Sequence, residues 1–214
     1  MESLDTIPLY ATLSYCWGRE PFKKLTTDAL SAFLKDIPLQ HLPQTFQDAI
    51  DVTRGLGLDY VWIDALCIIQ NQQVGRGEET DWEKEVGKME SVYGGAHVSL
   101  AASDAKIYQI HSPAGRAWAL QEKLLAARTI SFGRGGLFWE CKSTIKSEYL
   151  PNGFQDRLGR HVVRPENMTW DWDEIVQDYS SAALTVDSDR LPALAGIARR
   201  QHELTGDQYL AGMW

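Results

Sequence analysis

Tyr60-Val-Trp-Ile-Asp-Ala-Leu-Cys-Ile-Ile69 is nearly continuous in its apolar character, interrupted only by the carboxylate of Asp64. A run that does not alternate fits a strand buried on both faces, as in a parallel sheet. Its flanks fit the same picture. Upstream, Gln44 to Leu56 has helical periodicity, with Phe46, Ala49, Ile50 and Thr53 on one face and Gly55 and Gly57 to stop it. Downstream, residues 70–80 form a polar loop. Thr80-Asp-Trp-Glu83 then has the spacing of a capping box and predicts a helix with Trp82, Val86, Met89 and Tyr93 on one face, ended by Gly94-Gly95.

The alternation continues outward. Tyr10-Ala-Thr-Leu-Ser-Tyr15 reads as a strand, and Cys16-Trp17-Gly18 as a turn. Residues 26–36 predict a short helix, and Pro38 and Pro43 break the chain. His97 to Ser103 reads as a third strand. Ser112-Pro113 predicts a helix start, with Trp118, Leu120, Leu124 and Leu125 following. Arg128 to Phe132 and Leu137 to Cys141 predict two more strands, paired as a hairpin across Gly133-Arg-Gly-Gly136. Residues 142–168 read as polar and irregular, and Trp172 to Ser181 and Ser188 to Leu204 as helices. Four strands alternating with three helices over the first 132 residues predict a parallel sheet covered on both faces. Binding sites in such sheets lie beyond the carboxyl ends of the strands. Those ends are Ser14 to Gly18, Asp64 to Cys67, and Ser103-Asp104.

The 214 residues, 44% hydrophobic and 23% charged, suit one generous domain that buries its own core. A net charge of −8 without a basic cluster argues against nucleic acid and anionic membranes as partners. No apolar run approaches the ~18 residues that span a bilayer. No signal peptide opens the chain, and the three cysteines, Cys16, Cys67 and Cys141, form no disulfide framework. A cytoplasmic location is therefore expected, and the Asn167 sequon carries no meaning there. Cys16 and Cys67 are expected as buried small hydrophobes, and most of the eight tryptophans as packing residues. The chain ends at Trp214 without a closing feature, which leaves room for a partner domain beyond it. Walker, dinucleotide-binding, zincin and nucleophile-elbow motifs are absent, and the five scattered histidines suggest no metal site.

Several strings occur together and in order. They are Leu13-Ser-Tyr-Cys-Trp-Gly18, Leu42-Pro-Gln-Thr-Phe-Gln-Asp-Ala-Ile50, Trp62-Ile-Asp-Ala-Leu-Cys-Ile-Ile-Gln70 and Glu85-Val-Gly-Lys-Met-Glu-Ser-Val-Tyr-Gly-Gly-Ala96. Arg116-Ala-Trp-Ala-Leu-Gln-Glu122, Tyr179-Ser180, Asp189-Arg-Leu-Pro-Ala-Leu-Ala-Gly196 and Tyr209-Leu-Ala-Gly212 follow. This succession resembles the heterokaryon incompatibility (HET) domain across nearly the whole chain, with a shorter segment than usual from Asp104 to His111. HET domains in turn distantly resemble Toll/interleukin receptor (TIR) domains. Here Leu13-Ser-Tyr15 and Ile63-Asp64 look like the first two TIR strands, and Ser112 to Glu122 like the TIR segment in which a Trp precedes a Glu.

The resemblance implies a flavodoxin-like, TIR-like parallel sheet over residues 1–141. The hairpin of residues 128–141 closes that core, and a HET-specific helical extension over 142–214 packs on it. It also implies a fungal cell-death effector, either a NAD glycohydrolase or a non-enzymatic module that self-associates. A nucleotide-binding switch is a weaker third reading, for want of a phosphate loop. By carry-over the catalytic residue is Glu122, with Ser14, Tyr15, Trp17, Gly18, Asp64 and Trp118 around NAD, which is substrate and not a tightly bound cofactor. Each residue has a plainer alternative. Glu122 can be a solvated helix residue, Trp118 a core residue, and Asp64 a cap or a partner of Arg116 or Arg128. Ser14 and Tyr15 can simply finish a strand. Glu83, explained by the capping box, and Glu85, on a solvated face, rank behind Glu122.

Overall fold

The computed structural model describes residues 7–18, 20–75, 77–102, 116–133, 135–155, 171–182, 184, 189–210 and 214. The elements run β1 Tyr10–Ser14, α1 Leu30–Phe33, α2 Gln44–Gly55, β2 Tyr60–Trp62, α3 Asp64–Cys67, α4 Asp81–Val86, α5 Met89–Gly95 and β3 Val98–Ala102. They continue α6 Ala117–Leu125, β4 Arg128–Gly133, β5 Gly136–Cys141, β6 Thr144–Ser147, α7 Trp172–Ser181 and α8 Pro192–Thr205. The six strands form one sheet in the order β2-β1-β3-β4-β5-β6. The first four are parallel and the last two antiparallel. The parallel order 2-1-3-4 is that of a flavodoxin-like sheet, whose switch point falls between β1 and β3. The expected α/β class therefore holds, with an antiparallel extension at one edge.

The run at 60–69 corrects its reading. It is a strand for three residues only, at the edge of the sheet, and bends into the single turn α3 at Asp64. The backbone amides of Leu66 and Cys67 both return to the Ile63 carbonyl at 2.9 Å, which closes the turn. Ile63, Ala65 and Ile68 are buried. The apolar character thus serves a buried corner, and periodicity alone does not separate that from a buried strand.

The capping box at Thr80 and Glu83 forms as expected. The helix it opens is two helices, α4 and α5, interrupted at Gly87 and Lys88. Met89 and Tyr93 still face inward. β6 lies in the stretch expected to be irregular. Lys142 and Ser143 make a two-residue turn, and Thr144 pairs with Cys141. A strand of four residues carries too little pattern to be read. α8 begins at Pro192, in the first-turn position that suits proline. The expected helix starts at Ser112 and Ser188 lie outside the described residues. Cys16 and Cys67 are exposed, contrary to the expectation of buried hydrophobes.

Alternation along β1 divides the two faces of the sheet. Ala11, Leu13 and Tyr15 join Phe46 and Ala49 of α2 in the main core, with Val98, Leu100 and Ile130. The opposite face presents small hydroxyl residues in register, Thr12 beside Ser99 and Ser99 beside Thr129, all buried. That side takes α5 and α6. Tyr10 donates to the Val92 carbonyl at 2.7 Å and Tyr93 to the Leu13 carbonyl at 3.4 Å. α7 and α8 then pack on α6, through Ile175, Tyr179, Ala193, Leu194 and Ile197 against Ala117 and Leu120.

Candidate active site

β1 ends beside the switch point, and its last residues point to opposite sides. Tyr15 turns toward α2 and Ser14 toward α6. Each side receives one carboxylate.

Asp64 stands at the start of α3. Its Oδ1 accepts the Tyr15 hydroxyl at 2.8 Å and the Ala65 amide at 2.6 Å, and its Oδ2 accepts the Trp17 indole N–H at 2.9 Å. Both aromatic donors are fixed by ring contacts. Tyr15 meets Phe46 edge-on at 4.9 Å, Phe46 meets Phe22 at 5.6 Å, and Phe22 meets Trp17 at 5.6 Å. Lys24 lies over one face of the Trp17 ring, 5.2 Å from its centroid. Gly18 follows with φ +71°, a left-handed turn that suits a residue without a Cβ.

Glu122 lies in α6 and is only 7% exposed. Ser14 donates its hydroxyl to the carboxylate. The second oxygen, Oε2, is buried without a hydrogen-bond partner among the described residues. Burial pushes the Glu122 pKa up to about 7, and the negative charge of Asp64 adds to the rise. Arg116 and the Ser14 hydrogen bond act the other way but do not offset burial. Arg116 is the extended residue before α6, and its guanidinium donates to the Tyr15 carbonyl, so the strand end and the helix start are tied together. The Tyr93 hydroxyl completes the surround. Its burial, with the charges of Glu122 and Asp64, holds the phenol protonated.

Five of the expected residues thus come together: Ser14, Tyr15, Trp17, Asp64 and Glu122. Glu122 is not a solvated surface residue, and Asp64 is held by hydroxyl, indole and amide donors instead of by Arg128, which reaches the His97 carbonyl at 3.1 Å. Trp118 is placed differently. Its ring packs edge-on to Trp82 at 5.7 Å, and its N–H donates to Asp189 at 3.2 Å. It joins the core clusters around Tyr93 and around Leu120, which matches its packing alternative. Arg116 and Tyr93 belong to the site but were not singled out for it. Arg116 stood in the quoted Arg116-to-Glu122 string and Tyr93 in the Glu85-to-Ala96 string, where it also carried the signal of a core position. Among the described residues no group of His, Cys, Asp and Glu could hold a metal ion. No helix there is long and apolar enough to cross a membrane.

A buried acid with a free oxygen, beside a second and fully ligated carboxylate, can stabilise a developing cation or handle a proton near neutral pH. No curated protein and no solved structure matches the chain. The family model described as heterokaryon incompatibility protein (HET) matches residues 10–114, which span the sheet from β1 through β3 and carry Ser14, Tyr15, Trp17, Asp64 and Tyr93. Over residues 10–114 that match bears out the resemblance to the heterokaryon incompatibility domain.

Proposed function

We propose that this domain is a cell-death effector that cleaves NAD at the nicotinamide–ribose bond, with Glu122 as the reacting carboxylate. A heterokaryon incompatibility domain implies a role in fungal incompatibility and cell death. The choice of NAD follows the resemblance of Ser112 to Glu122 to NAD-cleaving TIR enzymes. The single observation that carries the catalytic assignment is the sealed Glu122 carboxyl, whose Oε2 has no partner among the described residues.

The chemistry suits such a group. The C1′–N bond breaks and its electron pair leaves on nicotinamide, which departs neutral and needs no proton. Positive charge builds on the ribosyl carbon, as in glycoside hydrolysis, and an adjacent carboxylate stabilises it. Water then attacks C1′ and gives up a proton to Glu122 or to solvent. The products are ADP-ribose, nicotinamide and one proton. The ionised form of Glu122 is the active one, so the rate rises with pH through about 7. Asp64, with three donors on its oxygens, fixes Tyr15 and Trp17 at the strand end, and Trp17 offers a flat face to a base.

A second reading, a self-associating signalling module without catalysis, draws on β2 as an edge strand among the described residues and on exposed Leu137, Tyr149 and Leu150 near the other side of the sheet. One experiment separates the two. Purified protein at high concentration is incubated with NAD and nicotinamide release is followed, with Glu122→Gln alongside. Release by wild type alone supports the enzyme. Release by both removes Glu122 from catalysis. No release by folded, assembled wild type favours the signalling module.

A further inference from the structure

Three helices meet behind Glu122. α8 packs along α6 and also touches α5, so α6 is held between its two neighbours. Gly196 of α8 stands at the junction. A Cβ there would lie 2.0 Å from Nε2 of Gln121 and 3.2 Å from its Cδ, and 3.2 Å from Cβ of Glu90 in α5. Ordinary contact between such atoms needs about 3.5–4.0 Å. The missing side chain is therefore what lets α8 sit this close to both helices.

Gln121 is the neighbour of Glu122 in sequence and is 2% exposed. Its Oε1 is buried with no hydrogen-bond partner among the described residues. An amide in that position is held by packing, because no donor rewards its oxygen for being there. Two polar contacts flank the same seam: Arg199 to Glu90 at 3.1 Å and Trp118 to Asp189 at 3.2 Å. Both tie the C-terminal segment to α5 and α6 without touching the Ser14 side of the site.

We propose that Gly196 and Gln121 position Glu122: bare backbone at 196 lets α8 press on Gln121, and this contact seats α6 at the depth that seals the Glu122 carboxyl beside Ser14. Gln121 and Gly196 act through α6 and touch no substrate. The functional meaning rests on Glu122 being the reacting group, but the mechanical coupling does not. Among the described residues the groups that face Glu122 are Ser14 on β1, Asp64 on α3, Tyr93 on α5 and Arg116 before α6. None of them lies on α8, so a change at 196 reaches the carboxyl only by moving α6.

The test reads the carboxyl directly. Protein labelled with carbon-13 at the glutamate carboxyl is titrated by NMR, and the Glu122 signal is identified by its loss in Glu122→Gln. Gly196→Ala is expected to move the Glu122 midpoint by about one unit toward the ordinary glutamate value near 4.3. Adding Gln121→Ala makes room for the new methyl and returns the midpoint to the wild-type value. The pH profile of NAD cleavage shifts and recovers in parallel. An unmoved midpoint in Gly196→Ala, with a lowered Tm, overturns the proposal and leaves Gly196 a packing residue. If Gly196→Ala does not fold, the double variant decides. A folded double variant with the wild-type midpoint supports the coupling, and one that also fails to fold overturns it. Absence of NAD cleavage in wild type refutes the proposed function, while the NMR midpoints still decide the coupling.

Discussion

Replacing Glu122 by Gln removes a titration that burial moves up to neutral pH, and its effect on stability has a definite dependence on pH. The folded chain holds this carboxyl at about 7, against about 4.3 for an unfolded glutamate. The folded state therefore binds the proton more tightly than the unfolded state does. Stability from this group is fully present below about pH 4.3 and is lost as pH rises through about 7. The raised value costs roughly 1 kcal/mol of stability at pH 5, where only the unfolded chain ionises, and about 3–4 kcal/mol at pH 8 by that linkage. Glutamine cannot ionise, so Glu122→Gln escapes the cost at every pH. Any penalty for burying its amide is constant with pH and cancels in the comparison. The assay is urea unfolding of both proteins at pH 5 and at pH 8, with the difference between them taken at each pH. Relative to wild type, Glu122→Gln should gain about 2–3 kcal/mol between the two conditions. Subtraction removes the titration of other groups that the substitution leaves alone. An equal difference at both pH values would refute the reasoning, because it would mean that Glu122 titrates normally.

Two further outcomes test the frame around the site. Tyr15→Phe deletes the hydroxyl bonded to Asp64 at 2.8 Å. It should cost about 1.5–3 kcal/mol in urea unfolding at neutral pH, the range for hydrogen bonds to charged groups. Phe46→Ala empties a position that is 0% exposed and that holds Tyr15 and Phe22 edge-on. It should cost about 3–5 kcal/mol, measured as a lower midpoint at unchanged slope.

The legibility of the chain varied with the length and strength of its patterns. Gln44–Gly55 is a full amphipathic helix with a glycine stop, so its period and end were both readable. The capping box at Thr80 and Glu83 is a local reciprocal bond, and local chemistry is what a sequence states most directly. The four-residue β6 is too short to carry a pattern, and the bend at Asp64 depends on partners distant in sequence. For Asp64 those partners are Tyr15 and Trp17, 49 and 47 residues away.

The sequence by itself determined the α/β class, the alternation that makes the sheet parallel, and the strings that mark the family. Those features are carried by residue type and spacing, which survive without coordinates. Only the tertiary structure decided that Glu122 is buried and Trp118 is packing. Both lie on the same nine-residue helix, and the helical pattern does not say which neighbours close over each face. It also decided that Arg116 and Tyr93 belong beside Glu122, and that α8 comes close enough for a glycine to matter at 196. Burial, orphaned oxygens and the resulting pKa arise from atoms brought together across more than a hundred residues, which spacing along the chain does not encode.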